Sequence, residues 1–197
     1  MKFTKKQKEF IKFVKDECKK YGVKCDLRKG KYVKIDPNIK CSGFFDEKSL
    51  VTAMKNPNAF GVLAHEYCHL TQWVDKIPLW KQADKALTKV DEWLSGKPVR
   101  NIKKYMAIAR DLELDNEKRT VKLLKKFGFD DMIEDYTKKA NAYVHFYNYM
   151  LHSRKWSKPS NSPYNNKKVL SVMSSKFNMK YSELSPRIKK VFESEGI

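Results

Sequence analysis

The strongest constraint on this chain is a helical period, because apolar residues recur at spacings of three and four in one stripe after another. Phe60, Leu63, Tyr67, Leu70 and Val74 make one stripe; Phe10, Ile11, Val14, Cys18 and Tyr21 make another. The longest combines Ile102, Tyr105, Met106, Ala109, Leu112, Leu123, Leu124 and Phe127. The punctuation agrees with these stripes. Thr4 and Gln7 form a capping box and Gly22 is a stop for the first helix, while Asn56 and Pro57 start a helix that runs to about Trp73. QADKALTKVDEWL reads as a connector helix, Val99 to Phe127 as a long helix ended by Gly128, and Asp131 to Trp156 as another.

Strand signals are confined to the first third. Val23, Cys25 and Leu27 alternate with polar residues, RKGK makes a turn, and Val33 and Ile35 alternate again, which predicts a β-hairpin. KCSGFFDE extends the same sheet, and SLVTAM suits either a strand or a short helix. The expected fold class is therefore α+β: a mainly helical single domain over residues 1–156 with a small sheet. After it, the polar stretch SKPSNSPYNNKK leads into a helical extension over 157–197.

At 197 residues and 41% hydrophobic composition the chain has enough apolar mass for a sizeable core. Its N-terminus lacks the apolar run of a signal peptide and no segment is long enough to span a bilayer, so the expected location is the cytoplasm, with no membrane partner. Cys18, Cys25, Cys41 and Cys68 contain no CxxC pair, which removes zinc knuckles and thioredoxin-type chemistry and predicts free thiols. The net charge of +19 attracts nucleic acid or an acidic partner, and the tail from residue 151 adds ten basic residues against three acidic. Most of the excess is lysine on helix faces that also suit simple solvation.

Chemistry is concentrated in LAHEYCHLTQ, residues 63–72. Two histidines at i and i+4 lie about 40° apart around a helix and about 6 Å apart along it, so His65 and His69 can share one tetrahedral zinc ion. Glu66 follows His65 closely enough to reach a water at that ion without being a ligand. The helical phase turns both histidines away from the apolar stripe, toward Gly61 and Gln72, and leaves Cys68 as a small core residue.

A catalytic zinc takes a third protein ligand. Glu113 falls inside the apolar arc of the 99–127 helix, where an uncompensated carboxylate costs several kcal/mol and a cation offsets that cost. Glu117, one turn on, is the alternative ligand or a hydrogen-bond partner of a ligand histidine. A donor for a developing oxyanion is expected from the aromatic helix, where Tyr143, His145, Tyr147 and Tyr149 are equivalent on sequence. His145 and His152, with Asn141 and Asn148, mark a polar face that reads as solvated or cleft-lining.

HEYCH followed by a glutamate helix resembles the gluzincin branch of the zincin metallopeptidases, and the run from Glu113 to Glu117 is similar to their ExxxD/E element. The order of N-terminal helix, small sheet, HExxH helix and glutamate helix is similar to ImmA/IrrE-type peptidases and to metallopeptidases encoded by tailed bacteriophages. Gln72 and Asp75 stand where a metzincin has glycine and histidine, which excludes that branch. The resemblance implies a zincin-like fold and a zinc-dependent hydrolase acting on a protein or peptide substrate. Zinc is then held by His65, His69 and Glu113, with Glu66 as general base and an extended substrate paired to an edge strand near KCSGFFDE. For a phage-encoded chain the compartment is the host cytoplasm. The rival expectation is a basic nucleic-acid-binding protein in which HEYCH is a structural or vestigial zinc site.

Overall fold

The computed structural model describes residues 2–35 and 40–197. It is mainly helical with a small mixed sheet, in agreement with the α+β expectation, and no helix among the described residues is long and apolar enough to cross a membrane. The chain divides into two compact units, one of residues up to 77 together with 119–130, the other of residues 78–118 and 131–197.

In the first unit, helix α1 (Lys5–Lys20) starts and stops as its sequence predicts. The Thr4 hydroxyl accepts from the Gln7 amide at 3.3 Å and the Gln7 side chain accepts from the Thr4 amide at 3.0 Å, which completes the capping box. Gly22 adopts φ +72°, and the Val23 amide reaches back to the Cys18 carbonyl at 2.8 Å in a Schellman closure. Phe10, Val14 and Cys18 face inward and are fully buried. An aromatic cluster of Phe10, Phe13, Phe60, Tyr67, Phe127 and Phe129 joins α1 to the HEYCH helix and to residues 127–129.

The sheet corrects the predicted hairpin. Strand β1 (Lys24–Arg28) pairs in parallel with β5 (Ser49–Ala53), whereas β2 (Val33–Lys34) pairs antiparallel with β3 (Lys40–Cys41) in a separate ribbon. Strand β4 (Gly43–Phe45) adds antiparallel to the other side of β5, so the order is β1-β5-β4 and β4 lies at an edge. The physical reason is the composition of β5. Leu50, Val51, Thr52 and Ala53 are all buried, so this strand needs cover on both faces and neighbours on both sides, and SLVTAM resolves as the central strand. Alternation in β1 sets which face is apolar but does not select a partner.

Helix α2 (Ala59–Val74) carries HEYCH. It begins two residues later than Pro57, because the Asn56 side chain accepts from the Asn58 amide at 2.8 Å and spends its capping capacity on the preceding turn. At the other end Arg119 anchors the last turn of α2, donating to Asp75 at 2.6 Å and to Thr71 at 3.2 Å.

The second unit contains α3 (Pro78–Leu94), most of α4 (Ile102–Lys126) and α5 (Asp130–Ser153), followed by α6 (Lys167–Ser171) and α7 (Pro186–Ser194). Helix α3 starts earlier than QADKALTKVDEWL, since Pro78 suits a first helical position whose amide is unpaired in any case. Its core joins Val90, Met106, Ala109, Phe146 and Met150 to Val169, Ile188 and Phe192, so the C-terminal residues pack into this unit.

Candidate metal centre

The three residues the sequence singled out as metal ligands come together. One ring nitrogen from each of His65 and His69 and a carboxylate oxygen of Glu113 all lie within 4.8 Å of one another, a group able to hold a metal ion. The two Nε2 atoms are 3.1 Å apart. Two ligand atoms at zinc–nitrogen distances of 2.0–2.1 Å and a tetrahedral angle stand about 3.4 Å apart, so the separation of the two histidine nitrogens suits a shared zinc ion to within a few tenths of an ångström.

The second nitrogen of His69 is held as well. Its Nδ1 lies 2.9 Å from the Gln72 Oε1, and Gln72 is fully buried. The amide oxygen can only accept, so Nδ1 carries the proton and the Nε2 lone pair is directed outward to a ligand position. Burial, and then the neighbouring His65, bring the His69 pKa down to about 3, so its imidazole is neutral. Gln72 is the residue that sequence reasoning left unused. Its signal was the i,i+3 spacing from His69 on the same helical face.

Glu66 is 7% exposed and lies beneath the edge strand. A Cβ placed on Gly43 would stand 3.1 Å from the Glu66 Cγ, and 2.8 Å from both the Val51 carbonyl oxygen and the Val62 Cγ1. Strand β4 therefore approaches the HEYCH helix as closely as backbone allows, which only glycine permits. The Cys41 thiol is raised above its ordinary pKa first by burial and then by the charge of Glu66, so it shares this corner. Cys68 is buried, as expected of a core residue, and outside the metal-binding group.

On α4 the choice between the two glutamates is geometric. Glu113, 8% exposed, joins the histidines, while Glu117, 4% exposed, accepts a hydrogen bond from the Tyr136 hydroxyl at 2.5 Å. The four oxyanion candidates on α5 also separate. The Tyr143 and Tyr147 hydroxyls are 3.1 Å apart, and both titrate well above the ordinary tyrosine range because of burial first and the Glu113 charge second. Tyr149 packs against Phe192, and burial followed by the Glu193 charge raises its pKa.

His145 departs from the reading of a solvated or cleft-lining polar face. It is 1% exposed, stacks on Tyr181 with ring centroids 5.3 Å apart, and neither ring nitrogen has a hydrogen-bond partner among the described residues. Asn141 and Asn148 are buried beside it because the C-terminal residues supply their partners. The Asn141 amide donates to the Ser174 carbonyl at 2.7 Å, and that of Asn148 to the Tyr181 carbonyl at 2.8 Å. Of that face only His152 is exposed.

Compared with known proteins, the chain matches no family model, no curated protein and no solved structure.

Proposed function

We propose that this protein is a zinc-dependent peptidase of the gluzincin type, with His65, His69 and Glu113 as metal ligands and Glu66 as general base. The single observation that carries this reading is the convergence of two histidine nitrogens and a glutamate oxygen within 4.8 Å of one another. When bound, zinc supplies Lewis acidity that acidifies water and polarises a carbonyl. Glu66 takes the proton from the attacking water and returns it to the leaving amine. Gln72 fixes the tautomer and ring orientation of His69. Tyr147 and Tyr143, whose hydroxyls stay protonated in the field of Glu113, donate hydrogen bonds to the oxyanion. The edge position of β4 supports a substrate bound as an added strand, antiparallel or parallel to Gly43–Phe45.

The test combines elemental analysis with hydrolysis of a peptide library by wild type, Glu66→Gln and Glu113→Ala. The expected result is stoichiometric zinc in wild type and Glu66→Gln, loss of zinc in Glu113→Ala, and turnover about 10²–10⁴-fold lower in Glu66→Gln. Zinc retained by Glu66→Gln with unchanged turnover would overturn the assignment of the base, and absence of zinc from wild type would overturn the whole reading.

A further inference from the structure

In the first unit, α1 and the C-terminal ends of β1 and β5 enclose an open-sided cleft of about 790 Å³. That volume lies in the range of ligand clefts. Its floor is aliphatic, formed by Ile11, Leu27 and Met54. Its rim is cationic: Lys8, Lys12 and Lys15 come from α1, and Lys29 and Lys55 from the ends of the two strands. All five lysines are exposed. The one acid on the rim among the described residues, Asp16, is engaged by Lys12 at 2.6 Å. On α1 the spacing i, i+4, i+7 sets three ammonium groups in a row about 10 Å long above Ile11.

We propose that this cleft docks an acidic protein segment, whose carboxylates meet the lysine row while its aliphatic side chains cover Ile11, Leu27 and Met54. Charge complementarity selects an anionic partner, and the details of the cleft select a protein. No arginine lines the cleft among the described residues, so it lacks the planar bidentate fork that favours phosphate. The one aromatic lining residue, Phe3, is already engaged edge-on with Phe60 at 5.8 Å and 89°, and the remaining floor is aliphatic, which gives bases no stacking platform. The apolar surface is recessed between the lysines rather than protruding, the reverse of what insertion into a bilayer surface requires. This inference is independent of the metal and of the peptidase reading.

The experiment titrates a dye-labelled peptide of interspersed glutamate and leucine against the full chain by fluorescence anisotropy, beside an oligo-dT strand and phosphatidylserine vesicles. The joint variant Lys8→Glu, Lys12→Glu and Lys15→Glu is expected to weaken the peptide about tenfold or more. Reversal of the exposed Lys103, Lys122 and Lys158, which changes net charge equally, is expected to weaken it less than about twofold. Ile11→Ser is expected to weaken the glutamate–leucine peptide and leave a glutamate–serine peptide unchanged. Equal losses in the two charge-reversed variants would overturn the site in favour of diffuse attraction. Tighter binding of oligo-dT or of vesicles, lost in the rim variant, would overturn the protein segment as occupant.

Discussion

Replacing Gln72 isolates a part of the proposed metal centre that lies outside its ligands. The Gln72 side chain is fully buried and its oxygen accepts from the His69 Nδ1 at 2.9 Å, so removing it by Gln72→Ala leaves a part-buried N–H group without this partner. Such a group costs about 1–3 kcal/mol, which corresponds to roughly 5- to 150-fold in an equilibrium constant. Part of that cost falls on the zinc-bound state alone, because metal binding requires Nδ1 to stay protonated and the ring to stay aligned. Zinc affinity should therefore fall about 10- to 100-fold.

The conservative replacement sharpens the expectation. Gln72→Glu keeps the acceptor and adds charge, which favours proton density on Nδ1 and raises the donor strength of Nε2, so zinc affinity should equal or exceed that of wild type. Competition against a chelator of known affinity at neutral pH measures both variants, with urea unfolding of the metal-free forms as a control for folding. Zinc affinity within about twofold of wild type in Gln72→Ala, with folding intact, would refute the argument that this hydrogen bond orients His69.

Other perturbations test other links. Gly43→Ala drives a methyl group into the Val51 carbonyl and Val62, each at 2.8 Å, and since the carbonyl is backbone it should cost about 1–3 kcal/mol in urea unfolding. Tyr147→Phe should lower kcat about 10²–10³-fold with zinc content and KM unchanged, while Tyr149→Phe, which keeps the ring contact with Phe192, should leave kcat unchanged. For His145, burial first and then the Arg110 charge bring the pKa down to about 4 from an ordinary 6.5. The unfolded chain therefore takes up a proton below pH 6.5 that the folded chain refuses, and stability falls as pH drops toward 4, by about 2 kcal/mol at pH 5. His145→Phe, which keeps a ring against Tyr181, should remove that slope; unfolding at pH 7.5 and pH 5 that shows the same loss in both proteins would contradict it.

How far the sequence determined the outcome depends on the distance between an interaction's partners along the chain. The capping box of Thr4 and Gln7, the Gly22 stop and the pairing of His65 with His69 span one or two helical turns, and each could be placed from spacing alone. Glu113 needed an energetic argument instead: a carboxylate in the apolar arc requires a compensating charge, and the group of ligand atoms it joins supplies the place for one. That reasoning pointed to Glu113, and the structure brings its carboxylate within 4.8 Å of the histidine nitrogens. It failed for Asn141, Asn148 and His145, where polarity was read as contact with water. An asparagine on an apolar helix is equally compatible with a buried site if backbone carbonyls arrive from elsewhere, and here they come from residues 174, 176 and 181, more than thirty positions away. The Tyr181 hydroxyl closes the same arrangement by donating to the Asn141 Oδ1 at 2.6 Å, and Arg110 donates to the Asn148 Oδ1 at 3.0 Å. The hairpin failed for the same reason, since strand alternation records a buried face and contains no record of the partner. Sequence patterns therefore report which groups must be satisfied, and only a fold reports by what; the grouping of His65, His69 and Glu113 was legible because the two histidines are near neighbours on one helix and the acid falls inside an apolar arc.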